Sequence, residues 1–385
     1  MGRKVGVTAR ARLRGRLVLA DGAVFPGFSF GSKEPRTGEI VFTTGMVGYP
    51  EALTDPSYRG QILSFTYPSI GNYGVPGAAR GGSHPAPDAQ PAGSIPALEV
   101  PQRPYESERI HALGVICASY SEDFCHHSAS ESLGAWLERE AVPGLTGIDT
   151  RALTKRIRER GALLGRIDIG GRSIEGFDDP NLRNLVDEVS TREIRRYGCR
   201  GGVPLLLVDC GFKNNQVRML VDRGAEVRVV PWNHDLQHAP RDYAGVVISN
   251  GPGDPQMAQA TIETARLLMR RKVPVLGICL GHQILALAAG ASTYKMKFGH
   301  RSHNQPCTET RGGRCYQTSQ NHGYAVDGRT LTDGWSEWFV NANDGTNEGI
   351  RHAHGPWRSV QFHPEAAPGP TGTEWILEEF LEEVR

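Results

Sequence analysis

Pro274-Val-Leu-Gly-Ile-Cys279-Leu-Gly-His-Gln283 is the stretch on which the reading of this chain turns. An apolar strand runs into Gly-X-Cys-X-Gly, and an apolar helical run, Ile284-Leu-Ala-Leu-Ala-Ala289, follows. A nucleophile on a sharp strand-to-helix turn is the thiol form of the Gly-X-Ser-X-Gly elbow. The glycines permit the tight turn. The turn lifts the sulfur clear of the sheet to a helix N-terminus, which favours a thiolate. Taken alone, the same pattern also suits a buried structural cysteine.

Two distant stretches tip the balance. Ser359-Val-Gln-Phe-His363-Pro-Glu365 brings a histidine off the end of an apolar strand, with a carboxylate two residues later. Thiol catalysis needs a base that takes the proton and returns it to the leaving amine, and a group that orients the imidazole. Cys279, His363 and Glu365 fill these roles if the two strand ends converge. Gly245-Val-Val-Ile-Ser-Asn250-Gly-Pro-Gly-Asp254-Pro is a strand entering a glycine-rich turn whose N–H groups suit an oxyanion. It lacks the Lys-Ser/Thr of a phosphate-binding P-loop. His282 begins the helix beside the nucleophile and is expected to be structural. His300 and His303 are expected to shape a loop. Cys125, His126 and His127 lack the spacing and further ligands of a metal site, and no metal is expected.

The chain divides near residue 200. Residues 15–75 show short β-rich runs broken by Gly, Pro and Asp, with Arg12 to Leu19 as the opening strand. Residues 76–104 hold seven prolines among Gly, Ala and Ser, a composition that suits a mobile surface loop. Ile110 to Ala118 reads as a strand, Ser128 to Glu140 as a helix with a Ser128/Glu131 capping box, and Arg151 to Arg160 as a second helix. Residues 165–202 read as a polar, Gly-rich connection. Beyond it strands and helices alternate, which implies a parallel sheet. Pro204 to Val208 is a continuous apolar run, as in a strand buried on both faces. Asn250 to Asp254, Cys279 and His363 each follow an expected strand, so one rim of the sheet collects all three.

Asn250-Gly-Pro-Gly-Asp254, Gly277-Ile-Cys-Leu-Gly-His-Gln283 and His363-Pro-Glu365, in that order, resemble the class I (triad) glutamine amidotransferases. The first half narrows the acceptor. Phe42-Thr-Thr-Gly-Met-Val-Gly-Tyr-Pro-Glu51, Leu53 to Tyr58, Gly71-Asn-Tyr-Gly74 and Gly147-Ile-Asp-Thr-Arg151 resemble the small subunit of carbamoyl-phosphate synthetase, in wording closer to eukaryotic forms. So does Thr318 to Val326, and the resemblance runs over roughly residues 15–385. It implies an α/β fold: residues 1–200 as an N-terminal α+β small-subunit domain, and 201–385 as a class I amidotransferase domain with an open, mostly parallel sheet. It also implies that glutamine is held by Gly45, Gly251, Gly253, Leu280, Gln283, Asn321, Gly323 and Tyr324, with the Leu280 and Gly253 N–H groups as oxyanion donors. Gly45 departs from the hydroxyl-bearing residue of some relatives, leaving only its backbone to contribute. No cofactor is implied on this chain. ATP and Mg²⁺ are expected on a synthetase partner, either a carbamoyl-phosphate synthetase large subunit or fused synthetase domains. Leu53 to Tyr58 and Gly71 to Gly74 are either that partner's docking surface or residues holding internal turns.

Composition sets the limits. A net charge of +1 argues against a nucleic-acid partner. No apolar run is long enough for a bilayer. Seven cysteines without CxxC spacing suit a reducing compartment, so a cytoplasmic location is expected. The first 16 residues carry six basic groups and no acid, which suits a solvated arm or trimmed start, with an organellar presequence as the alternative. Three rival functions remain: an amidotransferase for another acceptor, a catalytically silent regulatory module, and a papain-like thiol protease.

Overall fold

The computed structural model describes residues 12–77, 97–98, 105–332 and 334–385. The expected loop 76–104, apart from Pro76, Gly77, Ala97 and Leu98, and the basic residues 3, 4 and 10 lie outside these.

The second half supplies nine of the eleven strands of one sheet among the described residues, and Arg195–Tyr197 and Ala97–Leu98 of the first half complete its edge. Its centre is parallel: Ala225–Pro231, Val203–Asp209, Gly245–Ile248, Val275–Ile278 and Trp357–Val360 pair in that order. Side chains alternate across a strand, so each strand feeds two cores. Leu205 and Leu207 join Val217, Leu220, Ile376 and Phe380 on one face. Leu206 and Val208 join Ile262, Leu268, Ile284 and Leu285 on the other. Helices therefore cover both faces, which is why the parallel strands read as unbroken apolar runs. The last helix, Trp375–Glu383, buries Ile376, Leu377, Phe380 and Leu381 along one stripe. Each such side chain contributes about 1.5–3 kcal/mol, so Phe380→Ala is the single change most able to loosen it.

The sheet also extends beyond its parallel centre. Asn347–His352, Trp335–Asn341, Thr293–Glu309 and Cys315–Val326 add antiparallel strands on one side. The last two form a long ribbon over the rim where the site lies.

The first half is a closed barrel of seven strands. Arg14–Leu19 pairs with Val24–Gly31 on one side and with Leu163–Ile169 on the other. Leu163–Ile169, read from sequence largely as connecting chain, is thus a barrel strand whose partner lies far away in sequence. Leu17, Ile40, Ile62, Ile116, Leu145 and Ile167 fill the interior. The helix expected over Ser128–Glu140 is shorter. Ala129–Glu131 is captured as a strand by Val75–Pro76, so the helix starts afterwards, over Leu133–Arg139. Its cap is Ser132, whose Oγ accepts from the Ala135 N–H at 3.2 Å, and Glu131 pairs with Arg139 at 2.7 Å instead of closing a capping box.

Leu53 to Tyr58 is not an outer surface. All six residues are buried, and the 3₁₀ turn Pro56–Tyr58 is capped by Asp55, whose side chain accepts from the Ser57 N–H at 2.9 Å. The Tyr73 hydroxyl accepts from the Gly48 and Tyr49 N–H groups, and its ring stacks on Tyr49. Leu53 to Tyr58 thus holds an internal turn, whereas in Gly71 to Gly74 the two glycines are buried and Asn72 is exposed.

Candidate active site

Cys279 sits between the strand Val275–Ile278 and the helix Leu280–Ala288, with φ 54° and ψ −103°. A non-glycine residue there is strained, and a strand-to-helix nucleophile turn is where such strain is found. The flanking glycines have a steric cause. A Cβ on Gly281 would lie 2.0 Å from the Ile248 carbonyl oxygen, and one on Gly277 would lie 2.5 Å from that of Gly281. Leu280 opens the helix, where N–H groups have no intrahelical acceptor.

His363 leaves the end of Trp357–Val360, the strand next to the nucleophile's. Its Nδ1 is 2.6 Å from Glu365 Oε1. Its Nε2 is buried with no hydrogen-bond partner other than the Cys279 side chain. Burial by itself pushes the imidazole pKa down, but the Glu365 and Cys279 charges outweigh it and hold it well above the ordinary histidine value. Burial would likewise raise Glu365, and the His363 and Lys213 charges pull it well below the usual carboxylate range instead. The sulfur is also 3.7 Å from the Asn321 carbonyl and 3.6 Å from Gln361 Nε2. The arrangement is a thiol, a base and an orienting carboxylate, all nearly inaccessible to bulk water.

Cys279 lies in a cavity between the barrel and the sheet domain. Gly251, Gly253, Leu280, Gln283, Asn321, Gly323 and Tyr324 all line it. Gly45 does not. Its N–H bonds the Thr43 hydroxyl at 3.2 Å, and the His303 ring fills the space beside it, 2.4 Å from where a Cβ would stand. The barrel supplies Glu39, Ser57, Arg59 and Gln61 to the wall. Glu39 is buried, paired with Lys295 at 2.7 Å, and held below its ordinary pKa by Lys295 and Arg301 against the upward pull of burial.

Sequence reasoning missed the support behind Glu365. Lys213 is buried, bonds the Ala366 carbonyl, and lies 3.7 Å from Glu365 Oε1. Gln216 Nε2 donates to the same oxygen at 3.2 Å, and Asn215 bonds the Glu365 carbonyl. These residues follow the strand Val203–Asp209, so the rim rule that flagged Asn250, Cys279 and His363 points to them as well. His282 is fully buried, with Nδ1 2.9 Å from Ser359 Oγ, so it supports the helix and does not serve the sulfur. Among the described residues, the one grouping compact enough for a metal ion is His300, His322 and Glu348. Every ring nitrogen there has an oxygen within 3.0 Å.

The thiol elbow on a parallel sheet, the His-Glu pair and the glycine-rich turn define a class I glutamine amidotransferase. Residues 206–383 match the description of that class, and residues 17–167 match the carbamoyl-phosphate synthase small chain domain. The arginine-specific carbamoyl phosphate synthase small chain of Chaetomium globosum is 46% identical over 375 residues, 96% of this chain and 78% of that one. The multifunctional protein pyr1-3 of Dictyostelium discoideum is 46% identical over 391 residues, 97% of this chain and 17% of that protein. The mouse mitochondrial carbamoyl-phosphate synthase named for ammonia is 46% identical over 368 residues, 95% of this chain and 23% of that protein. The chain belongs to the carbamoyl-phosphate synthase small chain family. It spans about a sixth of the length of the multifunctional relatives.

Proposed function

We propose that this chain is the glutaminase part of a glutamine-dependent carbamoyl-phosphate synthase. It releases ammonia from glutamine and delivers it to ATP-dependent synthetase domains, for arginine or pyrimidine synthesis. Family membership leaves the nitrogen source open, because one relative is named for ammonia. The observation that carries the proposal is the strained Cys279 beside His363–Glu365, lining one cavity with seven of the eight positions that the family resemblance implies for glutamine.

Glutamine enters with its side-chain amide over Cys279. The sulfur attacks the amide carbon, and the carbonyl oxygen takes the negative charge between the Leu280 and Gly253 N–H groups. The carbon–nitrogen bond breaks as His363 protonates the nitrogen, so ammonia leaves and a γ-glutamyl thioester remains. Water, giving a proton to His363, then cleaves the thioester to glutamate and the free thiol. Glu365 keeps the imidazole in the working tautomer throughout. Burial keeps ammonia from bulk protonation. ATP, Mg²⁺ and bicarbonate belong to the partner, as a separate large subunit or fused domains. The seven cysteines are all free, which suits a reducing, cytoplasmic setting, and no helix among the described residues is long and apolar enough to cross a membrane.

The test is glutamate release by the chain alone, then with a carbamoyl-phosphate synthetase large subunit, ATP and bicarbonate. Slow release that rises with the partner is expected. Release indifferent to the partner would point to another acceptor, and no release in either condition to a silent module. Cleavage of peptides would revive the protease reading.

A further inference from the structure

The triad does not end within the sheet domain. Glu365 Oε1 accepts from Gln216 Nε2 at 3.2 Å, and the same amide nitrogen donates to Asn250 Oδ1 at 2.9 Å. Both partners are oxygens, which fixes the orientation of the Gln216 amide. Asn250 Nδ2 in turn donates to Ser57 Oγ of the barrel at 2.9 Å. At the other end of the triad, Cys279 Sγ lies 3.7 Å from the Asn321 carbonyl, and Asn321 Nδ2 donates to Asp55 Oδ2 at 3.1 Å. Asp55 and Ser57 belong to one turn, since the Asp55 side chain caps the Ser57 N–H. All of these residues are buried. Water therefore offers no substitute partner, and a lost bond leaves an unsatisfied group.

We propose that the Asp55–Tyr58 turn of the barrel is a positioning element for the triad, acting through Ser57, Asn250 and Gln216 on Glu365 and through Asp55 and Asn321 beside Cys279. This deepens the glutaminase reading and rests on it. Gln216 and Ser57 are positioning residues, because neither reaches the reacting atoms: Gln216 holds the carboxylate that orients His363, and Ser57 holds the amide that aims Gln216. Any displacement of the turn, by a synthetase partner or by ligand in the cavity that Ser57 also lines, changes the aim of Glu365. The barrel then does more than enclose the substrate. It sets the rate of a site whose three triad residues lie elsewhere.

The test compares wild type with Gln216→Leu, Ser57→Ala, Ser57→Thr and the Gln216→Leu/Ser57→Ala double variant. It reads kcat, KM and the kcat–pH profile for glutamate release, with a thermal melt of each. Gln216→Leu removes a donor to a buried carboxylate and lowers kcat by roughly ten- to a hundredfold, with KM within about twofold. The acid limb of its profile moves to lower pH, because a misaimed Glu365 stabilises the His363 imidazolium less. Ser57→Ala shifts both readings the same way by a smaller amount, and Ser57→Thr restores them. The double variant falls no further than Gln216→Leu alone, because both changes break one chain. Losses that multiply, or a Ser57→Ala enzyme with wild-type kcat and acid limb, would overturn the proposal. Should Gln216→Leu not fold, the Ser57→Ala and Ser57→Thr pair decides by the acid limb alone. Absence of glutamate release by wild type would instead remove the glutaminase reading itself.

Discussion

Two buried histidine–carboxylate assemblies lie in the sheet domain, made of the same residue types and differing in what they leave unused. In one, His300 and His322 meet edge to face at 5.0 Å, with Glu348, Gln320 and Asp344 around them. All four ring nitrogens are taken by oxygens, and Glu348 accepts from Gln320 and Asn341 at 2.9 Å each. In the other, His363 uses Nδ1 on Glu365 and keeps Nε2 for the thiol, while Glu365 Oε2 has no partner. The saturated cluster ties the antiparallel ribbon to its neighbouring strands. The unsaturated one has capacity left for a reacting molecule. Burial alone does not mark a site. Unused hydrogen-bonding capacity beside a nucleophile does.

The comparison can be broken most sharply at Cys279. Cys279→Ser should lower glutamate release by roughly a thousandfold or more while leaving the melting temperature near wild type. Substantial release by that variant would put the chemistry elsewhere. Glu365→Gln should retain the fold and lower kcat by roughly a hundred- to ten-thousandfold, since the imidazole loses the carboxylate that sets its tautomer; a kcat within a few-fold would make Glu365 incidental. The saturated cluster should behave in the opposite way. Glu348→Leu strands buried donors and should destabilise by roughly 2–4 kcal/mol in denaturant unfolding, with kcat of the folded protein within about threefold. Loss of kcat at unchanged stability would erase the distinction.

How much of this was legible in the sequence followed from how local each signal is. The elbow was readable because Gly277, Cys279 and Gly281 form a compact five-residue pattern between an apolar strand and an apolar helix, although the Gly281 constraint itself comes from the distant Ile248 carbonyl. The parallel strands were readable because burial on both faces makes them continuous apolar runs. The barrel was not, because its closure pairs Arg14–Leu19 with Leu163–Ile169, and no local pattern carries a pairing across that separation. The ribbon Thr293–Glu309/Cys315–Val326 was also missed, although Arg311-Gly-Gly-Arg314 marks its turn. Lys213, Asn215 and Gln216 look like the solvated start of an amphipathic helix; their place after a strand puts them on the same rim, but their burial against Glu365 comes from the fold. At Gly45 the family expectation was already reduced to a backbone contact, and the His303 ring occupies the space that a side chain would need.

The smallest expected effect concerns the buried neutral histidines. Burial holds His282 down to about 3. A group whose folded pKa is lowered costs stability as pH falls below its unfolded value near 6.5, because the unfolded chain takes the proton first. Unfolding free energy should therefore decline from about pH 6.5 downward, and His282→Gln should flatten that decline by at most about 1.4 kcal/mol per pH unit. His300 works in the other direction: its pKa is raised, burial being outweighed by Glu348 and Asp344, so its contribution is full below about 6.5 and fades as pH rises through the elevated folded value. An unchanged slope in His282→Gln would show that this imidazole is hydrated in solution.

The most direct test of the account is rapid acid quench of the protein turning over glutamine, followed by mass analysis of the peptide that carries Cys279. A γ-glutamyl adduct on Cys279, present in wild type and missing from Cys279→Ser, is the result predicted. Glutamate released at a steady rate with that cysteine unmodified would contradict it.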